Sequence, residues 1–260
     1  MRDCAAPEPV PGGDPAPADR LLGGRVVLWQ GEAGRRAGSD AVLLAAAVPA
    51  EGGDRILELG SGNGAAALCL AWRVVAAEIV GLEIADDACA LARRNVAANG
   101  FGGRVAILAG DIAAPPPDLV ARSFDQVMMN PPFFPRRLSS APPDRARARA
   151  RIADPGMLAG WLDLVHRLLR PRGRLTLILR VERLDEVLAL LRPRFGGILV
   201  YPLWPRAGQP AKRFLLQATR GSGRPLRLLP GLVLHGAGNA YLPAAEAVLR
   251  QGAPLVLAAD

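Results

Sequence analysis

The stretch "RILELGSGNG", residues 55–64, places an apolar run directly before a glycine-rich turn. Ile56, Leu57 and Leu59 form the run, and Gly60, Gly62 and Gly64 follow it within five residues. So short and continuous an apolar segment reads as a strand covered on both faces. Glycines after it let the chain bend sharply into a helix and bring main-chain N–H groups close to a ligand, which suits an anionic group. The spacing Gly60-x-Gly62-x-x-Ala65 also satisfies the dinucleotide-binding fingerprint. By itself, then, the turn leaves a nicotinamide cofactor and another nucleoside both open.

Outward from this turn the same alternation repeats. "EIVGLEI" (78–84), "RVAILAGD" (104–111), "FDQVMMN" (124–130), "RLTLILR" (174–180), "GILVYPLW" (197–204) and "KRFLLQATR" (212–220) read as strands. Helical patterns lie between them. "SDAVLLAAAV" opens on Ser39 and Asp40 as a cap and stops at Pro49; "DDACALARRNVAANG" opens on an Asp cap, sets Ala88, Leu91, Ala92 and Val96 on one face, and ends at Gly100. "PGMLAGWLDLVHRLLRPRG" and "VERLDEVLALLRP" are two more. This order predicts an α/β fold with a mostly parallel, seven-stranded, doubly wound sheet and helices on both faces. Residues 1–24, rich in Pro and Ala and without periodicity, are expected to be a flexible tail. The domain proper then spans 25–220, and 221–260 is an extension packed on it. In such a sheet ligands bind beyond the carboxyl ends of the strands.

The 260 residues are half apolar, enough for one large domain, and carry a formal net charge of +8. Arginine supplies nearly all the positive charge, Lys212 being the one lysine, and the excess attracts polyanions, nucleic acid foremost. Cys4, Cys69 and Cys89 follow neither a disulfide nor a metal-ligand spacing, so no metal is expected and the chain reads as cytosolic. The N-terminus lacks the apolar core of a signal peptide, and the longest apolar run, "AVLLAAAV" (41–48), is far short of the roughly 20 residues a membrane span needs.

Three further strand ends carry candidate chemistry. Glu83, followed by Ile84, ends the second strand where a ribose-binding carboxylate belongs, and Asp111, followed by Ile112, ends the third. "NPPF", Asn130 to Phe133, ends the fourth. Proline fixes φ and donates nothing, so the carbonyls of Asn130 and Pro131 are expected to aim outward, with Pro132 stiffening the corner. An amine can donate one hydrogen to Asn130 Oδ1 and one to the Pro131 carbonyl while its ring stacks on Phe133. Such stacking is worth roughly 1–3 kcal/mol, enough to hold a base turned out of its stack.

These residues resemble the class I S-adenosyl-L-methionine-dependent methyltransferases: "ELGSGNG" their first motif, "GLEI" the second, "GDI" the third and "NPPF" the fourth, in order across residues 36–220. The resemblance implies a Rossmann-like fold and S-adenosyl-L-methionine as cofactor. It implies that Ser39, Asp40, Glu58, Gly60, Ser61, Gly62, Gly64, Ile84 and Asn130 line the cofactor, that Glu83 holds its ribose, and that Asp111 with the Ile112 backbone holds its adenine. "RRAGSDAVLLAAAVPA", "ALARRNVAANG", "PLWPRAGQPAKRFLLQATRG" and the tail "LLPGLVLHGAGNAYLPAAEAVL" together resemble the bacterial tRNA (adenine-N6)-methyltransferase family acting on valine tRNA beside the anticodon. Ribosomal RNA guanine-N2 and protein glutamine N5-methyltransferases are similar through the core. The segment "PDRARARARIADPG" departs from the His-Glu pair that the family often carries there.

Arg136, Arg137, Arg145, Arg147, Arg149 and Arg151 follow the corner against a single acid, Asp144. Runs of this kind are ordinarily solvated, but beside a base pocket they suit phosphate contacts, so Arg136, Arg137, Arg147, Arg149 and Arg151 are candidate RNA-binding residues; at the start of the last strand Lys212 and Arg213 either touch RNA, with Lys212 the candidate, or cap the sheet edge. His166 and His235 receive no role, and Trp161 and Trp204 are expected in the core. A nicotinamide oxidoreductase and a non-enzymatic RNA-binding protein are the competing readings; the "NPPF" corner argues against the first and the complete motif set against the second.

Overall fold

The computed structural model describes residues 18–31, 37–117, 119–132 and 156–257. Strands β1 (Asp19–Leu21) and β2 (Val26–Leu28) form an antiparallel hairpin. Helix α1 (Ser39–Ala47) leads into β3 (Arg55–Leu59), α2 (Ala65–Arg73), β4 (Glu78–Glu83), α3 (Asp86–Ala98), β5 (Val105–Ala109) and β6 (Phe124–Met129). There follow α4 (Met157–Leu168), β7 (Leu169–Arg180), α5 (Leu184–Leu191), β8 (Phe195–Arg206) and β9 (Arg213–Arg220). The short strands β10 (Arg227–Leu228) and β11 (Leu232–His235) and helix α6 (Pro243–Leu249) complete the chain.

The sheet order is β5-β4-β3-β6-β7-β9-β8, with β10 and β11 both added along the outer edge of β8. β3 to β7 are parallel and β9 is antiparallel to both its neighbours. The seven expected strands are all present, and the two edge strands make nine. Alternate strand residues feed two separate cores. Ile56, Ile178 and Leu215 face α1, α2, α3 and α6. Leu57, Leu177, Leu179, Phe214 and Leu216 face α4 and α5. Continuous hydrophobicity in the strands reflects this double coverage.

Several local expectations differ from what forms. The boundary at residue 24 falls inside the β1–β2 hairpin, because Asp19–Leu21 pairs with Val26–Leu28. Neither Ser39 nor Asp40 caps α1: its N-cap is Gly38, and no side chain caps it. Likewise α3 is preceded by Ala85, with Asp86 and Asp87 already in its first turn. The buried face of α3 is Cys89, Ala92, Asn95 and Val96, whereas Ala88 and Leu91 are only partly covered. Trp161 and Trp204 are half-buried; the Trp204 indole N–H donates to the Pro230 carbonyl at 3.0 Å and ties down the C-terminal segment.

Asn95 is the least expected member of this core, being fully buried. Its Oδ1 accepts from Trp29 N–H (2.8 Å), and its Nδ2 donates to the carbonyls of Trp29 and Asn63 (both 3.0 Å). One turn further, Asn99 makes the same pair of bonds to Val27. Four helical residues rise about 6 Å and two strand residues about 6.7 Å. Amides at i and i+4 can therefore imitate a neighbouring strand, and here they serve the free edge of β2. Asn95→Ala leaves three backbone groups without their partner and is expected to lower stability by about 2–3 kcal/mol. Urea unfolding of the two proteins measures this, and a loss below about 0.5 kcal/mol contradicts the stapling role.

Candidate active site

A cavity of about 410 Å³ lies beyond the carboxyl ends of β3 and β6. One wall is Glu58, Gly60, Ser61, Gly62, Asn63, Ala65 and Ala66; the other is Asn130, Pro131 and Pro132. The start of α1, from Ala37 to Ala41, and Arg213 at the start of β9 close the remaining side. The glycine turn and the proline corner thus face one space. A second hollow of about 280 Å³ sits at the amino ends of β6 and β7, among Asp54, Asp125, Gln126 and Arg170. It touches neither the glycine turn nor the proline corner, so we place the chemistry in the larger cavity.

The turn is glycine-rich for a backbone reason. Gly60, Gly62 and Gly64 have φ of 66°, 54° and 83°, the left-handed region that side chains disfavour. At Gly60 an added Cβ also stands 2.7 Å from the Trp161 ring, so α4 packs directly on the bend. At Gly62 the corresponding space is open. The N–H groups of Gly60 and Ser61 donate to Leu82 O (2.8 and 3.1 Å), which binds the turn to the end of β4.

Glu83 fastens the turn from beside it. Its Oε2 accepts from Gly62 N–H (2.8 Å) and its Oε1 from the N–H groups of Ile84 and Ala85 (2.9 and 3.0 Å). Asp111 Oδ1 accepts from Ala113 N–H at 2.9 Å, Ile84 is 46% exposed, and Ile112 leans on the second core. Glu83 and Ile84 stand at the carboxyl end of β4, and Asp111 and Ile112 beyond that of β5; none of them lines the cavity, nor does Gly64, which precedes α2.

Among the described residues, two buried oxygens at the cavity lack hydrogen bonds: Asn130 Oδ1 and Ser61 Oγ. Leaving a buried acceptor unsatisfied costs about 1–3 kcal/mol, so native structures rarely keep one without a use. Glu58 reaches the same wall at 4% exposure, its Oε2 accepting from Ala67 N–H at 3.0 Å. Burial pushes its pKa up to about 8; the Ala67 bond opposes the rise and the Glu83 charge adds to it. At neutral pH this carboxyl is largely protonated, and a cation entering the cavity favours its ionisation.

Asp40 does not cap its helix but faces Arg213, with Asp40 Oδ2 2.7 Å from Arg213 Nε. Ser39 lines the cavity beside it, and Lys212 is exposed next to Arg213. Sequence reasoning did not assign Asn63 to the cavity, and it read Arg213 only as an RNA contact or a sheet-edge cap. Asn63 lay within the quoted turn, but Arg213 reaches the site only through the β7–β9 pairing, for which spacing gives no signal. Phe133, Arg136, Arg137, Arg147, Arg149 and Arg151 lie outside the described residues.

Comparison with known proteins places the chain among methyltransferases. Residues 36–141 match the methyltransferase small domain family. Over 209 residues the chain is 34% identical to the tRNA1(Val) (adenine(37)-N6)-methyltransferase of Aeromonas salmonicida, covering 79% of this chain and 85% of that one. A protein of the same name from Parabacteroides distasonis is 32% identical over 65% of this chain and 69% of its own. Among solved structures, a predicted O-methyltransferase from Agrobacterium tumefaciens superposes with a TM-score of 0.71 at 27% identity, over 84% of this chain and 98% of that one.

Proposed function

The chain belongs to the tRNA1(Val) (adenine(37)-N6)-methyltransferase family, and from that premise we propose that it methylates the exocyclic amine of the adenine beside the anticodon in valine tRNA. It is a methyltransferase, and we infer S-adenosyl-L-methionine as its methyl donor. The observation that carries the finer reading is the buried, unpartnered Asn130 Oδ1 in the same cavity as the glycine turn.

The cavity suits that donor. Its buried acidic side chain, Glu58, fits a molecule bearing a sulfonium and an ammonium, and the open space over Gly62 lets a ligand approach the main chain. When bound, the donor supplies an electrophilic methyl group. The chain's own part is to hold the acceptor. Asn130 Oδ1 and the Pro131 carbonyl accept the two amine hydrogens, drawing the nitrogen lone pair out of conjugation with the ring. Two hydrogens on one atom fit an amine better than a hydroxyl, which has one and would need a base. The amine loses a proton only after nitrogen has bonded to the methyl group and become positive, so the rate gain comes from alignment, for which roughly 7–11 kcal/mol is available.

The corner-following arginines, Arg136, Arg137, Arg147, Arg149 and Arg151, with Lys212, are proposed to hold the RNA backbone. Replacing Arg147, Arg149 and Arg151 by alanine is expected to reduce the log–log salt slope of tRNA affinity by about 2–3. An unchanged slope removes this run from the interface. No described helix is long and apolar enough to cross a membrane. The function itself is tested with tritiated methyl donor offered to total tRNA, total ribosomal RNA and ribosome-free protein, followed by nucleoside and amino-acid analysis. Label is expected as N6-methyladenosine in tRNA; label in guanine of ribosomal RNA or in glutamine contradicts the reading.

A further inference from the structure

We propose that Arg213 is a positioning residue that clamps a backbone phosphate flanking the target nucleotide, with Asp40 holding its guanidinium in place. The inference rests on the adenine reading above and adds a specific contact to it.

Sheet order divides the cavity. The glycine turn follows β3, and Glu83 and Asp111 stand beyond β4 and β5, all on one side of Asn130. Arg213 opens β9, two strands to the other side of β6, with β7 between. A donor held by the turn therefore occupies the β3–β5 side, and the space between Asn130 and Arg213 is left for the acceptor. A nucleotide whose amine sits at Asn130 carries a phosphodiester on each side of its sugar, and an arginine at this edge is placed to meet one of them.

The side chain is prepared for that contact. Asp40 Oδ2 stands 2.7 Å from Nε, an ion pair that keeps the guanidinium beside the start of α1. Among the described residues its two terminal nitrogens have no acceptor, and the side chain is 41% exposed. Arginine presents its N–H groups as a rigid fork, and the outer pair matches two phosphate oxygens. An ion pair meant only to bind α1 to β9 would have no need to lie in the cavity wall. Arg180, at the end of β7, is instead matched by Glu182 on the surface.

The test uses valine tRNA assembled with a neutral methylphosphonate at one or the other linkage flanking the target adenine, with wild type, Arg213→Ala and Arg213→Lys. Wild type is expected to lose about tenfold or more in kcat/KM at one linkage and little at the other. Arg213→Ala is expected to lose about as much on unmodified tRNA, chiefly through KM, and then to be indifferent to that linkage. Arg213→Lys, keeping the charge but not the fork, falls between. S-adenosylhomocysteine affinity and melting temperature stay near wild type, which separates the effect from misfolding. Wild type and Arg213→Ala losing equally at both linkages, or Arg213→Lys losing as a melting-temperature defect alone, overturns the clamp. Failure of wild type to methylate adenine in the unmodified tRNA overturns the substrate reading instead.

Discussion

Asn130→Ala is expected to lower the methyl-transfer rate by about 10³-fold, equivalent to about 4 kcal/mol of transition-state stabilisation, while S-adenosylhomocysteine binds within a few-fold of wild type. The buried Oδ1 has no partner in the cavity wall, so removing it breaks nothing within the protein. What disappears is the acceptor that orients the incoming amine. The loss should appear in kcat rather than in cofactor affinity, because an interaction that strengthens as the nitrogen pyramidalises acts on the transition state. Asn130→Asp offers a second check: it keeps the oxygen, introduces a charge, and is expected to retain more activity than alanine. Single-turnover transfer measures both; an alanine variant within tenfold of wild type contradicts the amine-orienting role.

Glu58→Gln is expected to remove a pH-dependent loss of stability from the ligand-free protein. In the unfolded chain this carboxyl ionises near 4.5, whereas in the fold it keeps its proton to about 8, chiefly because it is desolvated. Below pH 4.5 both states are protonated and the fold loses nothing. Between 4.5 and 8 the unfolded chain releases a proton that the fold retains, so stability falls by about 1.4 kcal/mol per pH unit and levels off above 8. The full span amounts to about 3–5 kcal/mol. The glutamine variant should therefore match wild type at pH 4 and exceed it by several kcal/mol at pH 9, in denaturant unfolding without ligand. The same substitution is expected to weaken donor binding, since a neutral amide cannot balance an entering cation. Parallel stability–pH curves for the two proteins contradict the shift.

Both effects bear on what could be read from the chain. The parallel sheet was legible because double coverage leaves an unbroken apolar signature in residues such as Ile56 and Leu57, one for each core. The turn was legible because only glycine readily takes the φ values of Gly60, Gly62 and Gly64. Helix starts were not, because Asp40 was committed to a cross-sheet partner and not to its own helix. Nor was Asn95, a polar residue on an apolar face whose value depends on a hairpin far away in sequence. The hairpin itself is carried by strands of only three residues, too short for periodicity to register. Strand-end chemistry is local and leaves marks in the sequence; contacts made through sheet order, like that bringing Arg213 to the cavity, do not.

The most direct test offers the enzyme two valine tRNAs that differ only in the base beside the anticodon: adenine, or purine lacking the exocyclic amine. The account predicts labelled methyl on the first and none on the second, with the purine tRNA still competing for binding. Methylation of both to equal extent would mean that the accepting atom is not the amine held at Asn130.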